Sequence, residues 1–196
     1  MIKKIFSIIL FLWLFSNPVF TSENNILNIG SNEAQVTIKV FSSLTCPHCA
    51  SFHNKIFEKL KKEYIDTKKV KFEHHGFPLD LAALNAEKIL RSVTDNEKSF
   101  QLLSVIYKKQ NEWAVGSDIG IINNSLKTIG IDFGLDALTI DKVINNEKIQ
   151  DQILNERIEA QKNYKISSTP TIFINEKKYE GKHEFMPFKK FLDKLL

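Results

Sequence analysis

The chain of 196 residues holds two cysteines, Cys46 and Cys49, with Pro47 and His48 between them. A disulfide across so short a spacing closes a tiny loop, so it adds little stability by restricting the unfolded chain. A bridge with little structural benefit points to chemistry, namely exchange with the thiols of another protein. Three features make the pair reactive. It lies where a strand ends and a helix begins, and the positive helix N-terminus favours a thiolate at Cys46. Pro47 suits a first helical turn, where its missing N–H costs nothing. His48 can donate to the thiolate or add positive charge, which stabilises the reduced form further. A favoured reduced form makes the disulfide a ready acceptor of electrons. Cys46 is then the expected attacked sulfur and leaving group. Cys49, on the apolar face of the helix, is the expected resolving thiol, with Pro47 and His48 tuning the pair.

Other uses of this spacing stand beside exchange. Cys46 and Cys49 form half of a zinc site if His53 supplies a third ligand, although no second Cys-x-x-Cys exists. Haem attachment needs a histidine directly after the second cysteine, where the chain has Ala50. An inert surface pair is the third alternative. A second motif, Ser167-Ser168-Thr169-Pro170-Thr171, precedes a β-branched run. A proline there either blocks edge pairing or forms a cis Thr169–Pro170 bond opposite the cysteines. In the second case the Thr169 backbone is free to pair with an extended substrate.

The elements that position these residues follow from periodicity. Val36–Phe41 alternates Val36, Ile38 and Val40 against Thr37, Lys39 and Phe41, a strand pattern. A helix opens at Cys46 with the stripe Cys49, Phe52, Ile56, Phe57 and Leu60. Val70–His74 is a second strand, which completes a βαβ unit. Asp80 is placed to cap a helix from Leu81. Helical periodicity then covers Leu81–Arg91, Lys98–Gln110, Ile121–Thr128, Leu138–Asn145 and Ile149–Tyr164. Gly116, Gly120, Gly130 and Gly134 are expected to punctuate the pieces. Thr171–Ile174 is a short strand, residues 175–178 a turn, and Lys178–Glu180 a returning strand. A last helix carries Phe188, Phe191, Leu192 and Leu195 on one side. The order is βαβ, a helical block, then ββα. His74 and His75 read as ordinary strand-end residues, and His183 lies in a polar turn with no assigned role.

Hydrophobic residues make up 43% and charged residues 26%, an ordinary globular composition. The formal net charge is +4. Lysines are interleaved with acidic residues and there is no arginine-rich run, which argues against nucleic-acid binding. Lys3 and Lys4, then the apolar run from Ile5 to Phe15, then Asn17-Pro18 and the small residues Thr21 and Ser22, have the order of a secretory signal. The run is short for a membrane span. Residues 1–22 are therefore expected to be removed, and the rest to act outside the cytoplasm. The sequence divides into 23–80, a helical insertion over 81–164, and 165–196.

Together Cys46-Pro47-His48-Cys49, Phe52, Phe77-Pro78-Leu79-Asp80, the helical block and Thr169-Pro170 resemble the DsbA family of exported disulfide oxidoreductases. The resemblance runs from about Ala34 to Leu196. It implies an α/β thioredoxin fold with a helical insertion and a periplasmic enzyme that oxidises cysteines of newly exported proteins. It implies no cofactor, with Thr169 and Pro170 at the substrate. It also implies a membrane partner that reoxidises Cys46–Cys49. A reductase or isomerase on the same fold, or a non-catalytic metal carrier, are the alternatives. Members commonly carry an acidic residue six positions before the first cysteine. Here that position is Val40, beside Lys39, so a proton relay through a carboxylate at that place is not expected. The extra cysteine pair of some relatives' helical domains is absent.

Overall fold

The computed structural model describes residues 26–196; the expected export segment lies outside them. The thioredoxin-like fold centres on a five-stranded sheet in the order β1-β3-β2-β4-β5. Its strands are β1 (Leu27–Ile29), β2 (Val36–Ser42), β3 (Val70–Gly76), β4 (Thr171–Ile174) and β5 (Lys177–Lys178). β2 and β3 run parallel, from Val36 opposite Val70 to Ser42 opposite Gly76. Parallel neighbours need a crossover, and helix α1 over residues 47–65 supplies it. On its other edge β2 pairs antiparallel with β4, with Phe41 opposite Thr171 and Ile38 opposite Ile174. β2 is thus flanked on both sides, and its last residues lie beside the start of β4.

Strand β1 has no counterpart in the sequence expectations. It is three residues long and pairs antiparallel with β3, too short to show a period. The final hairpin is tighter than expected. Asn175 and Glu176 alone turn the chain, both with positive φ (46° and 65°), and Lys177 and Lys178 pair back with Ile174 and Phe173. Two left-handed residues match the twist of a two-residue hairpin.

Helix α1 is α-helical over Pro47–Phe52 and Glu58–Leu60, with π-helical turns at His53–Phe57 and Lys61–Ile65. Cys49, Phe52, Ile56, Phe57 and Leu60 are all buried. The wider turns also bring His53 into the buried set. The helical block comprises α2 (Leu81–Leu90), α3 (Asn96–Lys108), α4 (Gln110–Trp113), α5 (Ile119–Asp132), α6 (Ala137–Ile144) and α7 (Glu147–Tyr164). Side chains of Asp80, Asp95, Asp118, Asp136 and Asn146 accept backbone N–H groups at the starts of α2, α3, α5, α6 and α7. Such caps contribute about 1 kcal/mol each. Gly116 and Gly134 do end segments, with positive φ. Gly120 and Gly130 instead lie inside α5. At Gly130 a Cβ would come within 2.7 Å of Ile140 Cδ1, so the glycine serves close packing of α5 against α6. The segment expected over Lys98–Gln110 breaks at Lys109, where Trp113 Nε1 donates to the Ile106 carbonyl at 2.9 Å.

Helix α8 (Phe185–Leu192) buries Phe188 and Leu192. Phe191 and Leu195 do not share that face: both are exposed, and Leu195 lies beyond the helix end. One apolar core joins sheet and helical block through Ile38, Phe57, Phe72, Phe100 and Leu103. A smaller cluster of Phe41, Phe77, Ala160, Ile166 and Phe173 stands apart from it.

His74 is more than a strand-end residue. It is buried, with Nδ1 3.2 Å from Ser42 Oγ and Nε2 3.1 Å from Glu87 Oε2. Glu87 also accepts from Arg91 Nε at 3.2 Å, and Arg91 forks onto Glu156 at 3.0 and 2.6 Å. Burial opposes the charge on Glu87, but His74 and Arg91 outweigh it and hold the carboxyl at about 2. A carboxyl depressed on folding contributes stability above its ordinary value of 4.5, and that contribution fades as pH falls towards 2. Glu87→Gln is therefore expected to cost about 3–5 kcal/mol at pH 7, the loss typical of a broken buried ion pair. The difference from the parent chain should narrow below pH 4.5 in urea titrations, and a pH-independent difference would refute this assignment.

Candidate active site

The loop after β2 turns on local hydrogen bonds. Cys46 N donates to the Ser43 carbonyl at 3.1 Å. Thr45 Oγ1 donates to Asp80 Oδ2 at 2.7 Å, and Leu79 N donates to Ser43 Oγ at 3.3 Å. Asp80 therefore caps α2 and braces this turn at once. Cys46 is the N-cap of α1, in extended geometry (φ −78°, ψ 119°), and Pro47 is the first helical residue. This is the position where the sequence placed a thiolate: free N–H groups point at the sulfur, and proline costs the helix no bond.

Both cysteines are free thiols, Cys46 at 7% and Cys49 at 2% exposure. The two differ sharply in acidity. Donation from the Cys49 thiol is the largest influence on Cys46. Burial opposes it, while the Thr169 side chain and the backbone N–H groups of Cys49 and His48 assist. The balance brings Cys46 down to about 5. Burial, and then the adjacent Cys46 thiolate, push Cys49 far up. One sulfur is therefore anionic at neutral pH while the other keeps its proton. Pro47 and His48 are exposed on the helix tip, and the His48 ring lies close enough to His183 to lower the latter's basicity further, after burial.

The Thr169–Pro170 bond is cis. Pairing of β4 with β2 carries it to the cysteines across more than a hundred residues, and Cys46 Sγ lies 3.3 Å from the Thr169 carbonyl oxygen. Thr169 Oγ1 is buried with no hydrogen-bond partner among the described residues. The Thr169 side chain favours the charged form at Cys46, and at Cys49 only slightly offsets the effect of burial. The sequence pointed to the Thr169 backbone and missed the hydroxyl, whose environment exists only once β4 is paired. Gln110 was missed in the same way. Its side chain reaches the active-site turn at the Leu44 and Cys46 carbonyls.

Among the described residues no group of three or more His, Cys, Asp or Glu side chains is arranged to hold a metal. His53, the possible third zinc ligand, has its Nε2 2.8 Å from Ser104 Oγ and stacks on Phe57. Val40, where family members commonly carry an acid, is buried and sits opposite His74.

A family model described as Thioredoxin matches residues 21–194. The chain belongs to this family. A protein named as a protein-disulfide oxidoreductase in Rickettsia typhi is 28% identical over 156 residues, covering 80% of this chain. This chain spans only 57% of that relative's length. Disulfide bond formation protein D of Bacillus subtilis is 28% identical, with 86% of this chain and 76% of that protein covered. The crystal structure of Wolbachia pipientis alpha-DsbA1 superposes with a TM-score of 0.80 at 28% identity, covering 88% of this chain and 91% of that one.

The geometry makes two titrations informative. Thiolate absorbance of the reduced protein should appear with a midpoint near pH 5. Thr169→Val removes the hydroxyl that favours the charged form of Cys46 and should move that midpoint upward by roughly a unit. An unchanged midpoint would exclude the hydroxyl from the site.

Proposed function

We propose that this protein is an exported thiol–disulfide oxidase that donates the Cys46–Cys49 disulfide to reduced cysteines of other exported proteins. The observation that carries the proposal is the polarity of the pair: an acidic Cys46 at the helix tip and a buried, proton-holding Cys49. A substrate thiolate attacks Cys46 Sγ, and the Cys46–Cys49 bond breaks. Cys49 leaves with the electron pair and takes up a proton, while a mixed disulfide joins the substrate to Cys46. A second substrate thiolate then attacks the first substrate sulfur. Cys46 departs as its stabilised thiolate, and the substrate holds a new disulfide. Two electrons have passed to the pair, and acidity at Cys46 favours this direction because a good leaving thiolate stabilises the reduced form.

Thr169 and Pro170 present the extended backbone against which a substrate segment lies, next to the attacked sulfur. Pro47 and His48 set the exposed helix tip that faces the incoming thiol. Leu79 and Leu81 stand about half exposed on the neighbouring turn, giving an unfolded chain an apolar contact. No cofactor is required, since the sulfurs carry the electrons. Turnover requires a membrane protein that takes the two electrons back from Cys46 and Cys49. The charged and apolar order of residues 1–22 supports export to the periplasm.

Cys49→Ala should accumulate mixed disulfides between Cys46 and exported proteins, visible as bands that collapse on reduction. A variant that traps nothing while the parent chain binds stoichiometric metal would sink the proposal in favour of a metal carrier. Direction is decided by equilibration with glutathione. The oxidase requires a potential near about −120 mV, that of the family's namesake, whereas about −270 mV, that of thioredoxin, would make it a reductase.

A further inference from the structure

Helix α3 ends at Lys108, with Lys109 as its C-cap, and Gln110, the first residue of α4, is buried at 5% exposure. Its Nε2 donates to the Leu44 carbonyl at 2.7 Å and to the Cys46 carbonyl at 3.1 Å. Both hydrogens of one amide are used, and both acceptors belong to the turn that delivers Cys46 to the helix. The Cys46 carbonyl also accepts Ala50 N at 3.1 Å, the opening bond of α1. Trp113, buried two residues past Asn111, fixes the break in α3 by its bond to the Ile106 carbonyl. The exchange steps derived above make no use of Gln110.

We propose that Gln110 is a positioning residue of the redox centre, whose amide holds the Leu44 and Cys46 carbonyls in the arrangement that favours negative charge on Cys46 Sγ. The helical block thereby sets part of the redox equilibrium of a pair it does not contain. The proposal rests on the thiol–disulfide function above and deepens it.

The physical reason is a difference between two redox states. On reduction by a substrate dithiol, the substrate disulfide forms, the Cys46–Cys49 bond breaks, Cys46 becomes a thiolate, Cys49 a thiol, and one proton is released. The carbonyl oxygens beside Cys46 carry partial negative charge, which opposes the new anion. An N–H on each oxygen offsets that charge and keeps both from relaxing towards the sulfur. The disulfide form is uncharged at Cys46 and gains less from the same bonds. Gln110 therefore acts on the gap between the two forms, and low local dielectric strengthens the effect. A contact that served packing alone would stabilise both forms equally and leave the gap untouched.

The test uses Gln110→Met in the full chain, which keeps length and removes the donor. The equilibrium constant with glutathione should shift about tenfold against the reduced form, the size of one net hydrogen bond. The thiolate absorbance of Cys46 should move to higher pH with it. An unchanged constant and titration, with both redox forms equally less stable to urea, would overturn the proposal. Should the variant fail to fold, the parent chain still decides. The assigned side-chain amide signals of Gln110 are expected to differ between oxidised and reduced protein and to follow the Cys46 titration. Signals that ignore both would overturn it equally. Failure of the oxidase reading has a separate signature: a parent potential near that of thioredoxin leaves the tenfold shift between parent and variant intact.

Discussion

The register of β2 against β4 is the constraint on which the site depends. Phe41 lies opposite Thr171, so the chain leaving β2 towards Cys46 and the chain entering β4 from Pro170 emerge at one edge of the sheet. Side chains alternate faces along a strand, and a slip of one residue would turn every β4 side chain to the wrong side. All four residues of β4 are buried, so the apolar core holds that register. Only with it in place does the Thr169 carbonyl oxygen come within 3.3 Å of Cys46 Sγ.

The contrast between the two cysteines grows from that placement. Cys46 has the helix start, two backbone N–H groups, the Thr169 hydroxyl and the Cys49 thiol around it. Cys49 is one turn further, on the face packed with Phe52 and Ile56, where burial forbids a second charge. A single helical turn thus separates an environment that supports an anion from one that excludes it. No ring of charged side chains is needed, because polar hydrogens and the asymmetry of burial supply the difference.

The rest of the molecule supports this edge from two directions. Asp80 braces the turn through Thr45 while capping α2, and Gln110 grips it from the start of α4. Both residues belong to the helical block or its threshold. The buried Ser42–His74–Glu87–Arg91 chain joins β2, β3 and α2 where a family member commonly has an acid in β2 itself. In this chain that strand position is Val40, and the buried carboxylate enters from α2 instead.

Much of the protein was legible from sequence because the deciding signals were local. Cys46-Pro47-His48-Cys49 between an alternating strand and an apolar helical stripe carries its own chemistry, and the Asp80 cap marks where α2 starts. The βαβ and ββα order follows from period alone, while the thioredoxin fold with its helical insertion was implied by the family resemblance. What period cannot report is contact between distant segments. β1 is three residues long and exists only through pairing with β3. Gly120 and Gly130 look like breaks, yet both lie inside α5, Gly120 in its capped first turn and Gly130 packed closely against Ile140 of α6. Phe191 and Leu195 look like core, yet α8 ends too early and packs too narrowly to bury them. The burial of His74 beside Glu87, the Thr169 hydroxyl at the sulfurs and the reach of Gln110 into the turn all join residues far apart in the chain. Sequence singled out the two cysteines and their neighbours, while their acidity and partners were decided by how the sheet register and the core brought remote polar groups to one edge.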